Sequence, residues 1–343
     1  MEVYKQPMPL LRNSIIVSCE PDGTRCVDWD TSDSQTEVTI RVEADGVEIK
    51  YARYVIAGEK RVLIHHLFRD RRYQYILKDS VGNEYVQYER RLSLTGSPNF
   101  RDCGGYFSDD FGQVRWGYIY RSGQLSALDQ GDVKVIESLD LDLIFDFRRQ
   151  DEQNMEPSQL PETRLPNLIS LPINPGSSMA FYEQLDSLAE DGEHAVFEFM
   201  REINRDFVDS HSAAFGKMFE EILSVEDCRF LFHCSAGKDR TGFAAALILY
   251  SLGVPMDQIE HDYMLTNRYF LASQEVANLQ KKYGIEHLPE KALFPMLDVK
   301  YEYIRSAFEH VIKEYSSMDN YLSKALGLTF IDRSELRRRY CVN

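Results

Sequence analysis

The chain has 343 residues, 43% of them hydrophobic, and a formal net charge of −16 from 39 basic and 55 acidic side chains. That length suits two domains, each with enough apolar content for its own core. The acidic balance excludes general nucleic-acid binding, which rests on clustered Lys and Arg, so an anionic substrate has to be held by local positive potential.

The opening run Met1–Arg12 has no apolar h-region, and no apolar stretch anywhere nears the ~20 residues of a membrane helix. The chain reads as cytoplasmic and without a transmembrane segment; a secreted chain shorn of its signal peptide would read the same way. From there to about residue 92 come short alternating runs separated by turn residues: Ser14–Ser18, Arg25–Asp28, Glu37–Val42, Val47–Tyr51, Arg61–His65, Tyr73–Lys78 and Tyr85–Arg90. This is an all-β pattern. In Val38–Val42 the apolar side chains take one face, and Ala44-Asp45-Gly46 turns the chain back into Val47, Ile49 and Tyr51. With Trp29, Leu67 and Tyr73-Gln74-Tyr75, the region resembles a fibronectin type III or immunoglobulin-like sandwich, which implies a surface for an unidentified protein partner. His65-His66 cannot chelate one ion, because neighbours in a strand point to opposite faces.

Gly96-Ser97-Pro98 marks a break. Beyond it lie Asn99-Phe100-Arg101-Asp102-Cys103-Gly104-Gly105, the segment Trp116–Leu125 that contains Arg121-Ser122-Gly123, a helix over 127–139, and a strand over 141–145 that ends at Asp146-Phe147-Arg148. Strand carboxyl ends gather ligands in α/β domains, so Asp146 either lies near the site or is an ion pair with Arg148 or Arg149. Five prolines between 157 and 175 make a loop that could rim a site. Residues 180–223 turn helical, as a lid or as packing for the sheet, and 256–270, 274–283 and 299–326 are helical too. The Arg337-Arg338-Arg339 run reads as a solvated helix face. The six cysteines, at 19, 26, 103, 228, 234 and 341, show no metal-ligand spacing, so neither metal nor other cofactor is expected.

The chemistry concentrates in Phe230–Gly242, Phe-Leu-Phe-His-Cys-Ser-Ala-Gly-Lys-Asp-Arg-Thr-Gly. Phe230–Phe232 form a buried strand, and an apolar helix begins near Arg240 and stops at Gly253. A strand-to-helix loop points successive backbone N–H groups into one concavity at the positive end of the helix dipole. An anion is the expected guest, and a cysteine at that mouth, Cys234, is favoured as the nucleophilic thiolate. Arg240, six residues later, can return across the loop and offer two donors to a phosphate.

The pattern His-Cys-x-x-Gly-x-x-Arg-Thr resembles the signature of the cysteine-dependent protein tyrosine phosphatase superfamily. Chance agreement at so many fixed positions is on the order of once in 10,000 sequences. The Asn99–Gly105 segment is similar to the one that opens the catalytic domain of atypical bacterial and fungal tyrosine phosphatases. The Lys-Asp before the arginine resembles a subgroup typified by secreted phosphatases of intracellular bacterial pathogens.

The resemblance implies that Cys234 attacks a phosphate monoester, that Ser235, Ala236, Gly237, Lys238, Asp239 and Arg240 bind the phosphate, that Thr241 steadies the sulfur, and that His233 supports the loop. The general acid is open between Asp239 and Asp146, since neither tryptophan, Trp29 or Trp116, stands in a Trp-Pro-Asp loop. Phosphotyrosine proteins are the implied substrates. Phosphoinositides follow if Lys238 selects a second phosphate, and an inactive phosphate-binding scaffold is the remaining alternative. The expected fold is α/β: a small all-β sandwich over 1–95, then a phosphatase domain over 96–343 with a central, mostly parallel sheet flanked by helices.

Overall fold

The structure is a computed structural model, which describes residues 14–19, 23–31, 37–44, 47–57, 60–65, 67–68, 72–92, 94–108, 112–174, 193–283, 286–287 and 289–342. The opening run, the turn at Asp45-Gly46, His66, Pro175 and the helical start expected at Ala180 lie outside the described residues. The chain divides into two compact units. One comprises the described residues up to Leu92 together with Gly104–Phe107; the other comprises Ser93–Cys103 and the chain from Ser108 onward.

The first unit contains β1 (Ile16–Cys19), β2 (Arg25–Asp28), β3 (Glu37–Ala44), β4 (Val47–Ala57), β5 (Arg61–Ile64), β6 (Gln74–Asp79) and β7 (Glu84–Tyr88). They form two sheets, ordered β1-β2-β5 and β4-β3-β6-β7, with every ladder antiparallel. Strand β3 alternates as its sequence requires, sending Val38, Ile40, Val42 and Ala44 into a core shared with Val27, Trp29, Tyr75 and Leu77. The Asp79 carboxylate accepts the amides of Val81 and Asn83, fixing the β6–β7 turn in which Gly82 takes φ +100°. Cys26 faces Ser18 across the β1–β2 ladder, and neither Cys19 nor Cys26 is in a disulfide. His65 accepts or donates a hydrogen bond at Thr24.

After β8 (Arg101–Asp102), β9 (Phe107–Ser108) straddles the division between the units. The second unit continues with β10 (Gly112–Val114), β11 (Ile119–Ser122), α1 (Gln130–Ser138), β12 (Leu143–Asp146), α2 (Gln150–Met155) and β13 (Asn167–Ser170). Next come α3 (Glu193–Ser210), α4 (Ser212–Ser224), β14 (Phe230–His233), α5 (Asp239–Ser251), α6 (Met256–Met264), α7 (Thr266–Tyr269) and α8 (Ala272–Tyr283). The chain closes with α9 (Glu290–Leu297), α10 (Tyr301–Tyr315), α11 (Met318–Lys324), α12 (Phe330–Tyr340) and β15 (Cys341–Val342). A five-stranded sheet, ordered β13-β12-β14-β11-β8, supports the candidate site.

The expected fold class requires correction. The sheets are of mixed order and mostly antiparallel, interleaved with helices. Parallel pairing with defined register is confined to β11–β14, β14–β12 and β12–β13, and the same sheet ends in the antiparallel β11–β8 ladder. The remaining registered ladders, β10–β15 included, are antiparallel. Short turns join antiparallel neighbours directly, whereas parallel neighbours need a crossover, so only the helix-connected strands run parallel. Nor does a self-contained sandwich precede the rest, because Gly104–Phe107 belongs to the first unit although Ser93–Cys103 belongs to the second.

Three helical readings also change. The stretch expected as helical from 299 to 326 is two helices, broken at Ser316, which takes φ +68° as the cap of α10, after which the Ser317 hydroxyl accepts the Asn320 amide to start α11. Helix α9 was not anticipated, and it carries Pro295 within it. Two of the three terminal arginines are tied down: Arg337 donates to Ser251 O at 2.9 Å, and Arg339 donates to Val225 O at 2.7 Å and to Ile222 O, capping the end of α4, while Arg338 stays on the exposed face beside Glu335.

Helix α5 is the centre of the second unit's packing. Phe243 is fully buried, and its ring lies 5.9 Å from Phe207 of α3, 5.2 Å from Phe215 of α4 and 6.4 Å from Tyr321 of α11. The described helices of 193–224 therefore pack onto α5. Phe243→Ala should cost about 3–5 kcal/mol, the range for a buried aromatic truncated to a methyl, read as a shift in the urea midpoint at unchanged slope.

Candidate active site

Strand β14 is buried over all four residues because it is central in its sheet, and it delivers Cys234 to the head of α5 with a side chain 3% exposed. Between them the chain makes a tight loop. Gly237 sits at φ +68°, and a methyl there would come within 2.5 Å of the Ser122 carbonyl, so only glycine fits.

The loop carbonyls are held one after another. His233 Nδ1 lies 3.4 Å from Cys234 O, and the Gln124 amide donates to Ser235 O at 2.9 Å. Asn99 Nδ2 donates to Gly237 O at 2.8 Å and Arg121 Nη2 at 2.9 Å, while Lys238 O accepts from Arg121 at 3.4 Å and from the Gly242 amide. In a trans peptide the N–H points opposite to the carbonyl it shares a plane with. Holding these four carbonyls therefore turns the amides of Ser235, Ala236, Lys238 and Asp239 the other way, at the amino end of a 13-residue helix.

Arg121 and Arg101 are fully buried, and both meet Asp262 of α6: Arg121 Nη1 reaches Oδ2 at 2.6 Å, and Arg101 Nε reaches Oδ1 at 3.4 Å. Burial and the neighbouring Arg101 charge push the Arg121 pKa down, and Asp262 opposes both. Asp102 accepts the Gly117 amide at 2.8 Å. These side chains hold backbone in place.

Arg240 points into a second polar cluster. Its Nη1 donates to Glu152 Oε2 at 3.0 Å and to the carbonyls of Phe147 and Ile173, and its Nη2 donates to Ser235 Oγ at 3.3 Å. Ser235 Oγ donates in turn to Glu152 Oε1 at 2.6 Å. Burial opposes the Glu152 charge, but Arg240 and these hydrogen bonds prevail and hold its pKa at about 2. Glu152 was missed by the sequence reading. Its signal was an acid three residues after the Arg149 cap of α2, whose amide it accepts at 2.8 Å.

Asp146 lies beside His233 in register, but its carboxylate is buried against Arg148, which donates to Oδ2 at 2.7 Å and to Oδ1 at 3.0 Å. Burial opposes its charge, and His233 and Arg148 together bring its pKa below the ordinary range. Burial drives the His233 pKa down to about 4, against the pull of Asp146, so at neutral pH Arg148 is the partner that keeps Asp146 ionised. Lys238 is buried too. Its ammonium donates to Met296 O and, at 3.0 Å, to Asp298 O, where the dipole of α9 favours a cation. Asp239, the first residue of α5, is partly exposed and accepts the Tyr263 hydroxyl at 3.0 Å. Thr241 Oγ1 is buried with no hydrogen-bond partner among the described residues. No group of three or more His, Cys, Asp or Glu side chains among the described residues gathers to hold a metal.

The model of the tyrosine phosphatase family matches residues 92–342. The chain belongs to that family. Among related proteins, a predicted tyrosine-protein phosphatase of Cupriavidus necator is 31% identical over 255 residues, 74% of this chain and 90% of that protein. The triple specificity protein phosphatase PtpB of Mycobacterium tuberculosis is 27% identical over 263 residues, 68% of this chain and 92% of that protein. A tyrosine-protein phosphatase of Nostoc commune is 28% identical over 150 residues, 43% of this chain and 48% of that protein. Homology thus places this phosphatase in the cysteine-dependent superfamily. No helix among the described residues is long and apolar enough to cross a membrane.

The Glu152 pair has a consequence for acid stability. A carboxylate lowered from an ordinary 4.5 to about 2 on folding contributes stability that is fully present above pH 4.5 and lost as pH falls through 2. Glu152→Gln should unfold more readily than wild type near neutrality, with the gap in denaturation midpoint closing as pH drops from 4.5 toward 2. A gap that stays constant across that window would show that the pair is not the cause.

Proposed function

We propose that this phosphatase hydrolyses phosphotyrosine in proteins through a phosphocysteine intermediate. The observation that supports the reading is the loop itself: Cys234 stands at a helix amino terminus where four loop carbonyls are held by the fold, leaving the amides across their peptide planes facing away from those partners, and Arg240 reaches back to Ser235 of the same loop. In the first step the Cys234 sulfur forms a bond to phosphorus as the ester P–O bond breaks, and the departing oxygen takes a proton from Asp239. Water then attacks phosphorus and gives its proton to Asp239. The P–S bond breaks, inorganic phosphate leaves, and the thiolate returns with Thr241 as donor to it. Loop amides and Arg240 bind the equatorial oxygens best when charge spreads over them.

Asp239 is favoured as the acid over Asp146 because it is partly exposed at the helix start, whereas Asp146 is enclosed by Arg148. Asp146 lies 3.7 Å from His233 Nε2, beyond hydrogen-bond reach, and is held by Arg148. The catalytic groups all fall within 96–343, and the amino-terminal strands are left to recognise a protein partner.

Phosphoinositide hydrolysis through Lys238 is the rival, and the M. tuberculosis relative is named for triple specificity. Lys238 here spends its donors on the α9 carbonyls, which argues against an ammonium reserved for a second phosphate. Lys238→Ala should therefore lower turnover of a phosphotyrosine peptide and of a phosphatidylinositol monophosphate in parallel. Loss on the lipid alone would favour the rival.

Cys234→Ser should abolish p-nitrophenyl phosphate turnover, and Arg240→Lys should lower kcat by about 10²-fold or more, the scale for losing an oriented donor. Background turnover equal in wild type and Cys234→Ser would mean a phosphate-binding scaffold rather than an enzyme.

A further inference from the structure

We propose that Tyr263 is the positioning residue for the proton-donating carboxyl of this site, holding Asp239 by one oxygen so that the other faces the departing ester oxygen. The inference rests on the reading of Asp239 as general acid and adds to it a residue from a distant part of the chain. Tyr263 is fully buried on α6, and its hydroxyl donates to Asp239 Oδ1 at 3.0 Å. The ring packs directly on Gly242, where a methyl would come within 2.6 Å of two ring carbons. Glycine at 242, inside a helix, is explained by that contact.

The hydrogen bond survives both halves of the reaction. A carboxylate oxygen and the carbonyl oxygen of a neutral carboxyl both accept, so Tyr263 can keep Oδ1 while the proton comes and goes on Oδ2. Burial foremost, with the Asp239 charge beside it, pushes the phenol pKa well above its ordinary value, so the hydroxyl remains a donor across the working range. Oδ2 lies 3.8 Å from the Lys238 ammonium, which is itself fixed on the α9 carbonyls. The neighbour of Tyr263 in sequence, Asp262, anchors Arg121 and through it the Gly237 carbonyl. Two adjacent residues of α6 thereby set the loop backbone and the carboxyl together.

Tyr263→Phe keeps the ring on Gly242 and removes only the hydroxyl. Proton donation matters most when the leaving group is poor, so aryl phosphates separate positioning from general damage. The variant should lose roughly tenfold in kcat on phenyl phosphate and less than about twofold on p-nitrophenyl phosphate with KM unchanged, a fraction of the 10²–10⁴-fold that a positioned acid supplies. Equal losses on both esters, a change in KM alone, or no loss would overturn the proposal. Asp239→Asn is measured alongside. If it shows the leaving-group dependence and Tyr263→Phe does not, the acid reading stands and this inference alone fails. If Asp239→Asn shows none, the acid reading fails and the inference with it.

Discussion

The site depends on a pair of buried guanidiniums sharing one carboxylate. Arg101 and Arg121 both meet Asp262 away from solvent, and Arg121 spends its second arm on the Gly237 and Lys238 carbonyls. Two cations beside one anion in a dry interior are costly unless most of their remaining donors are used. Apart from Arg121 Nε, which has no hydrogen-bond partner among the described residues, they are used on backbone oxygens, Asn99 and Thr266, which makes the desolvated charge a device for orienting peptide planes. With the carbonyls drawn to that side, the amides across each plane are turned the other way. A loop organised in this way needs little rearrangement when charge develops on a transferring phosphoryl group.

The same loop is reached from two other parts of the chain. Through Glu152, the start of α2 fixes both Ser235 and Arg240, so the guanidinium is held in the fold by a charge pair. From the opposite side α6 supplies Asp262 and Tyr263, and the end of α9 holds Lys238. Sequence separations of about a hundred residues are closed around α5, whose run from Phe243 to Leu249 is buried on every side. Folding the core and assembling the site are therefore one event.

The loop and its helix were legible because their chemistry is contiguous: strand, cysteine, glycine and arginine follow one another within Phe230–Gly242. The β-strands before residue 92 were legible for a similar local reason, since alternation at period two is written into runs such as Val38–Val42. Pairing direction and the division of the chain were not, because both depend on which strands meet, and Gly104–Phe107 carries no mark of the unit it joins. Lysine is commonly exposed, so nothing in Lys238 foretold an ammonium buried on the end of α9. Likewise the terminal arginines read as a solvated face, which holds for Arg338, whereas nothing in the run foretold Arg339 on the carbonyls that end α4. Glu152 left a faint capping signal, and Tyr263 left none, because its partner is 24 residues away.

The central claim is that Cys234 becomes covalently phosphorylated within this loop. Mixing the protein with a phosphotyrosine peptide, quenching in acid within one turnover and mapping the digested chain by mass spectrometry tests it directly. The account predicts phosphate on the peptide carrying Cys234, absent from Cys234→Ser. Turnover that leaves Cys234 unmodified at every quench time while phosphate appears on another residue would contradict it.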